Sequence, residues 1–245
     1  MDFKIVIPSR KRSDKIGKTI NFTGRKHSLI YVNEDEVDTY KSQYGDIVRS
    51  IPDNIFGMGA IRKYMLDDTK KNNELVVQLD DDIIGLDYIF ADKAEQVTDS
   101  DHFHEVLLNS YQVCDDLEIP VFGYTSHVNA IRTYTQLDVA KFTHLISMCT
   151  GILTKYLGSI NYDPRFVIYE DHDFILNTKF YKRFVFVDTR YNCVFKKNWT
   201  SGGGASLIRN TESLDKHREL LQRKYGSAIR SAPKKQDKHV ITLDF

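Results

Sequence analysis

Three consecutive carboxylates, Asp80, Asp81 and Asp82, close the apolar run Leu75-Val-Val-Gln-Leu79. If that run is a strand, Asp80 and Asp82 project to one face and Asp81 to the other. Two carboxylates on one face repel each other unless a cation lies between them. A divalent metal with oxygen ligands is the simplest cation for such a place. A second acidic group, Glu170-Asp171-His172-Asp173, precedes the apolar Phe174-Ile-Leu176. Carboxylates at a helix start cap it and complement its dipole. Capping accounts for one or two of these residues but does not require three carboxylates and a histidine. His172 reads equally as a structural histidine or as part of a site.

Cations and glycines supply the rest of the chemistry. Ser9-Arg10-Lys11-Arg12-Ser13 follows the apolar Lys4-Ile-Val-Ile-Pro8. In a parallel α/β sheet, the loop after a strand is where phosphate-bearing ligands bind, although a solvated basic turn has the same composition. Gly57 and Gly59 stand before a helix-like pattern carrying Ile61, Tyr64 and Met65, with Arg62 and Lys63 one turn in. They allow close backbone approach to a ligand at a helix N-terminus, but G-x-G is only half of a phosphate-binding fingerprint. Gly202-Gly203-Gly204 lies near Lys196, Lys197, Arg209 and the only tryptophan, Trp199. Such a run suits a loop that orders over a ligand or a plain connection; the flanking cations favour the first.

The elements that must position these residues follow an α/β pattern: a mostly parallel, Rossmann-like central sheet flanked by helices. Strands are expected at Lys4–Pro8, His27–Val32, Asp46–Ile51, Leu75–Leu79, Val121–Ser126 (ended by His127 and Asn129) and Leu145–Leu153 with its glycine break. Arg183–Asp188 and Tyr191–Phe195 read as a further pair. Helical spacing is expected at Phe103, Val106, Leu107, Tyr111 and Cys114, and again over Leu214–Tyr225. Residues 85–101 are acidic with little periodicity. Asn33-Glu34-Asp35-Glu36 suits a helix start or a ribose contact. Residues 1–210 read as one domain, and 211–245 as a C-terminal helix and basic tail packed on it or extending it.

The bulk composition narrows the class. A chain of 245 residues that is 41% hydrophobic, with 14 Tyr and 14 Phe, can bury a sizeable core. No apolar run approaches 18 residues, so no membrane span is expected, and the N-terminus reads as a strand rather than a signal peptide. Cys114, Cys149 and Cys193 lack metal-ligand spacing and read as reduced core residues of a cytoplasmic protein. Net charge is zero but unevenly placed. Residues 74–101 hold nine acids and one lysine, and residues 216–238 hold eight Lys or Arg and two acids. These are either two solvated faces or a metal-binding end and a strip for an anionic partner.

Taken in order, these parts resemble the GT-A glycosyltransferases. The strand opening into a cationic loop, the Asp80-Asp81-Asp82 strand end, the later Glu170-Asp171 and the Gly202–Gly204 loop carry the likeness. Ile7-Pro-Ser-Arg10, Leu79-Asp-Asp-Asp82 and Gly202–Gly204 further resemble the phage-borne TET/JBP-associated glycosyltransferases of modified DNA bases. The resemblance implies a D-x-D motif in which Asp82 and Asp80 hold Mn²⁺ or Mg²⁺. It implies a nucleoside-diphosphate sugar, first of all a UDP-sugar, contacted by Pro8, Ser9, Arg10, Arg62, Asp80, Asp81, Lys196, Lys197, Gly202, Gly203 and Gly204. It implies Asp171 as catalytic base beside Glu170, as in inverting members, with Gly151, Trp199 and His172 toward the acceptor. That acceptor would be a hydroxyl such as that of 5-hydroxymethylcytosine in phage DNA, in the host cytoplasm. The rivals are nucleotidyl or phosphoryl transfer, which also uses Asp-metal sites, and a nucleotide or nucleic-acid binding module without activity.

Overall fold

Ile5, Val6 and Ile7 have no exposed surface, because their strand is covered on both faces and paired on both edges. This strand, β1 (Phe3–Pro8), runs parallel to β2 (Ser28–Asn33) on one side and β4 (Leu75–Leu79) on the other. Continuous apolar runs, rather than alternating ones, are what such two-sided burial requires. The computed structural model describes residues 2–90, 93–126, 138–142, 146, 148–195, 211–231 and 241–243.

The main sheet has the order β3-β2-β1-β4-β9-β7-β10-β5-β6, with the short β8 (Ala140–Lys141) paired to β10. Its first four strands, including β3 (Val48–Ile51), are parallel. The other half is mixed: β9 (Cys149–Leu153) is antiparallel to β4 and to β7 (Val121–Thr125), and β10 (Phe186–Phe195) is parallel to β7. The expected α/β class holds, with the parallel pairing concentrated in the first half of the sheet.

Each face of the sheet carries its own core. On one side, α1 (Gly17–Thr23), α2 (Val37–Tyr44) and α4 (Ser100–Asp116) bury Ile20, Phe22, Tyr40, Phe103 and Leu107. Phe22 stacks on Phe103 at 4.2 Å. On the other, α3 (Met58–Thr69) and α6 (Glu170–Lys182) bury Met65, Leu66, Phe174 and Ile175, with the short α5 (Thr154–Leu157) contributing Leu157. The three cysteines are free and buried. Among the described residues no helix is long and apolar enough to cross a membrane.

Two expectations change. Arg183–Asp188 and Tyr191–Phe195 are not a pair: β10 is one continuous strand from Phe186. Its register against β7 shifts between Asp188 and Asn192, so the polar residues between them mark an irregularity rather than a turn. The acidic segment after Asp82 forms a hairpin of β5 (Ile83–Phe90) and β6 (Lys93–Val97). β6 is the outermost strand, and only Val97 within it is buried. An edge exposed on both faces has no reason to alternate.

The C-terminal helix α7 (Thr211–Tyr225) seats Leu221 against Phe166 and Leu176, with Ile229 of β11 (Ile229–Ser231) beside them. β11 pairs with β12 (Ile241–Leu243) as a separate ribbon.

Candidate functional site

Because β1 and β4 are parallel, their C-terminal ends open on the same edge of the sheet, which brings Ser9 beside the aspartates. The three aspartates are a turn rather than a continuation of β4. The Asp80 amide donates to the Met148 carbonyl (3.1 Å), and the Ile83 amide donates back to the Asp80 carbonyl (3.3 Å). A turn does not alternate as a strand does, so Asp80 and Asp82 do not share a partner.

Asp81 faces the α1 and α2 side. It accepts from Arg12 Nη1 (2.5 Å) and from the Ser9 hydroxyl (2.7 Å), and Thr19 donates to its carbonyl (2.8 Å). The Tyr40 hydroxyl accepts from the Arg12 amide and bonds Ser9 Oγ, both at 2.9 Å. Burial pushes the Asp81 carboxyl up, and Arg12 and Ser9 oppose that. Ser9 and Asp81 thus brace each other and the cationic loop. Arg10 points to Glu36 at 3.9 Å and is part-exposed. Pro8 ends β1 against Tyr31. Arg12, Thr19 and Tyr40 escaped sequence reasoning; only the cationic run hinted at the first.

Asp80 faces the other side, where Arg62 is 5% exposed. Arg62 Nη2 donates to Asp80 (2.6 Å), and its Nε donates to Glu170 (3.0 Å). Burial works against the guanidinium's charge, but Asp80 and Glu170 more than offset it and raise its proton affinity. Gln78 Nε2 donates to the Arg62 carbonyl (3.0 Å). A glutamine inside an apolar strand was the sequence signal for this contact. Arg62 is therefore the physical link between the two acidic motifs, 18 and 108 residues away along the chain.

The glycines at the start of α3, Gly57 at its N-cap and Gly59 in its first turn, serve that link. A Cβ on Gly59 would meet the carbonyl oxygens of Asp163 and Phe166 at 2.5 Å, and Gly57 has φ +89°. The Gly59 amide donates to the Phe166 carbonyl (2.9 Å) and the Met58 amide to the Val167 carbonyl (3.3 Å). This helix N-terminus receives the segment leading to Glu170, not the ligand expected there.

Tyr169, in the left-handed region at φ 62°, starts α6. Glu170 turns inward to Arg62, and burial first, then Asp171, raises its carboxyl. Asp171 is a quarter exposed. Its Oδ1 accepts from both the backbone amide and Nδ1 of His172, each at 2.8 Å. Burial pushes Asp171 up, but His172 outweighs it and holds the carboxyl below its usual range. His172 is raised in turn: burial lowers it, and Asp171 more than compensates. Asp173 points away, is fully buried, and accepts from Lys224 and the Tyr225 hydroxyl, each at 2.7 Å. It anchors α7.

Gly151 lies buried inside β9, where a Cβ would meet the Phe122 ring at 2.2 Å, so packing accounts for this glycine. Lys196, Lys197, Trp199, Gly202, Gly203, Gly204, Arg209, His127 and Asn129 lie outside the described residues. The basic segment after 216 is partly engaged within the fold: Lys224 holds Asp173 and Arg218 pairs with Asp215 (3.0 Å).

Asp82 decides whether the turn suits a metal. Its side chain is 40% exposed and approaches Arg12 only to 4.0 Å. Burial, then Asp80 and Asp81, pushes its carboxyl up to about 6, the mark of negative charge without adequate compensation. Among the described residues no three His, Cys, Asp or Glu side chains converge closely enough to hold a metal alone. The donor set fits a hard cation taken up through one or two carboxylates together with substrate oxygens.

The sequence model of the TET-Associated Glycosyltransferase family matches residues 3–204, a span containing both acidic motifs and Arg62. The chain belongs to that family. Among curated proteins none matches significantly. Solved structures similar to this chain include GalNAc-T7 with UDP, GalNAc and Mn²⁺ (9% identity, TM-score 0.48), with 90% of this chain covered and 48% of that one, so the chain spans about half the length of that neighbour. A CMP:2-keto-3-deoxy-manno-octonic acid synthetase complexed with CTP is similar at 11% identity, TM-score 0.45, with 91% and 100% covered. A cytidylyltransferase from Leptospira borgpetersenii serovar Hardjo-bovis is similar at 14% identity, TM-score 0.44, with 91% and 95% covered.

Proposed function

We propose that this TET-associated glycosyltransferase moves a sugar from a nucleoside diphosphate, first of all UDP, to the hydroxymethyl group of a modified pyrimidine in DNA, with inversion. The observation that carries the reading is the Arg62 bridge, which ties an undercompensated carboxylate turn to a second acidic motif. Donor chemistry needs the first, and deprotonation of an acceptor needs the second.

Asp82, with Asp80, would hold Mn²⁺ or Mg²⁺, which when bound supplies charge neutralisation at the departing diphosphate. Arg62 keeps Asp80 and Glu170 in register. Ser9 and Arg12 hold the turn through Asp81. The start of α6 takes the proton of the acceptor hydroxyl as its oxygen attacks the anomeric carbon. The DNA acceptor draws on the family and on the exposed cations of the C-terminal region, such as Arg223, whose side chain is 80% exposed and pairs at the surface with Glu219 at 3.6 Å.

The test is thermal-shift screening of sugar nucleotides with Mn²⁺, followed by mass spectrometry of DNA containing hydroxymethylcytosine. A donor that binds the folded protein raises its melting temperature. Transfer by the wild-type protein, lost in Asp82→Ala, is expected. Full activity without metal overturns the donor site. A product carrying nucleotide phosphate instead of sugar places the enzyme with the nucleotidyltransferases.

A further inference from the structure

We infer that the atom receiving the acceptor's proton is Nε2 of His172, and that Asp171 is the carboxylate that positions it. The inference rests on the sugar-transfer reading above.

The four residues that open α6 can be sorted by what already engages them. Glu170 is bonded to the buried Arg62. Asp173 is directed to Lys224 and Tyr225. Asp171 accepts two hydrogen bonds on one oxygen, both from His172. Its other oxygen belongs to a carboxylate held below the usual range by that histidine, which makes it a weak proton acceptor at neutral pH. What remains is the second ring nitrogen of His172.

An ionised carboxylate only accepts, so Nδ1 must be the donor toward Asp171. That fixes the tautomer and leaves the lone pair of the neutral ring on Nε2. The ring is also held in place, with Tyr169 edge-on at 5.2 Å and its side chain 16% exposed. Carboxylate, imidazole Nδ1 and the ring's second nitrogen make the arrangement in which one group orients the base and the other accepts the proton.

The step balances as follows. The acceptor O–H proton goes to Nε2, and the oxygen's electron pair forms the bond to the anomeric carbon. The bond from that carbon to the diphosphate oxygen breaks, and its pair leaves with the nucleoside diphosphate. The imidazolium then returns its proton to solvent.

The experiment measures turnover with a UDP-sugar, Mn²⁺ and hydroxymethylcytosine DNA for the wild type, His172→Ala, His172→Gln and Asp171→Asn. His172→Ala is expected to lower kcat about 10²- to 10⁴-fold while its donor-induced thermal shift stays that of the wild type. Added imidazole should restore part of that rate. His172→Gln, which fills the space, should lose activity without rescue. Asp171→Asn should lower kcat through the wrong tautomer and show no rescue. If His172→Ala turns over within threefold of the wild type, or imidazole restores nothing, Nε2 is not the base. Wild-type transfer with an unimpaired His172→Ala sinks this inference alone; a wild-type protein that binds donor but transfers no sugar sinks the reading beneath it as well.

Discussion

Replacing Arg62 with methionine should cost more stability than any other single change at this edge of the sheet. The Arg62 and Glu170 side chains are 6% and 11% exposed, so removing the guanidinium leaves a carboxylate buried without its counter-charge. Breaking one side of a buried pair costs about 3–5 kcal/mol. The Asp80 arm is 35% exposed on the acid's side, so solvent screens it and it adds at most about 1 kcal/mol. Methionine retains much of the apolar stem. At about 2–4 °C per kcal/mol for a chain of this size, the melting temperature should fall roughly 10 °C. The loss should also depend on pH. Glu170 is already raised by burial and by Asp171, with Arg62 pulling the other way. Without Arg62 its folded-state affinity for a proton rises further. A carboxyl raised in the folded state contributes stability at low pH, and that contribution is lost as pH rises through its folded value. Urea denaturation at pH 5.5 and pH 8 should therefore show a larger deficit at pH 8. Arg62→Met with Glu170→Gln should recover part of the loss, because the stranded charge has gone. A deficit below about 1 kcal/mol, equal at both pH values, would refute the claim that Arg62 neutralises a buried carboxylate.

Three further outcomes follow from particular contacts. Asp82→Asn should leave the metal-free melting temperature unchanged or slightly higher, since it relieves crowding by Asp80 and Asp81, and it should abolish any shift given by Mn²⁺ with a sugar nucleotide. Gly59→Ala places a methyl 2.5 Å from two carbonyl oxygens. It should cost at least about 1–3 kcal/mol by overpacking and lower turnover by displacing the lead-in to Glu170; denaturation and kinetics on the same sample would check both. Asp173→Asn weakens the buried contacts to Lys224 and Tyr225. It should cost about 1–3 kcal/mol and expose the 211–231 region to limited proteolysis, while a variant as resistant as wild type would show that Leu221 and its apolar neighbours suffice to hold α7.

Much of the fold was legible because its cause is local. Lys4–Pro8 and Leu75–Leu79 are uninterrupted apolar runs, and two-sided burial leaves that imprint on any strand at the centre of a parallel sheet. Asp99 caps α4 by accepting from the amides of Asp101 and His102, and the helical spacing beyond it was plain. β6 was illegible because an exposed edge strand has no face to hide. β10 was divided in two because Asp188, Thr189 and Asn192 look like a turn, although each is buried in the strand.

The sequence by itself determined that carboxylates stand at a strand end and at a helix start, since residue type and apolar flanks need no third dimension. It also supplied Arg62 and the two glycines, but not their purpose. Only the tertiary structure decided which carboxylate remains available. The triple aspartate is a turn, so each of its members meets a different neighbour: Arg62 engages Asp80, Arg12 and Ser9 engage Asp81, and Asp82 is left the most exposed of the three. The same holds for the second motif, where Glu170 and Asp173 point to opposite partners and Asp171 is bonded to His172. The partners come from residues 62 and 224, far along the chain. A charge's protonation and reach depend on what lies within a few ångströms, and chain order does not encode that distance.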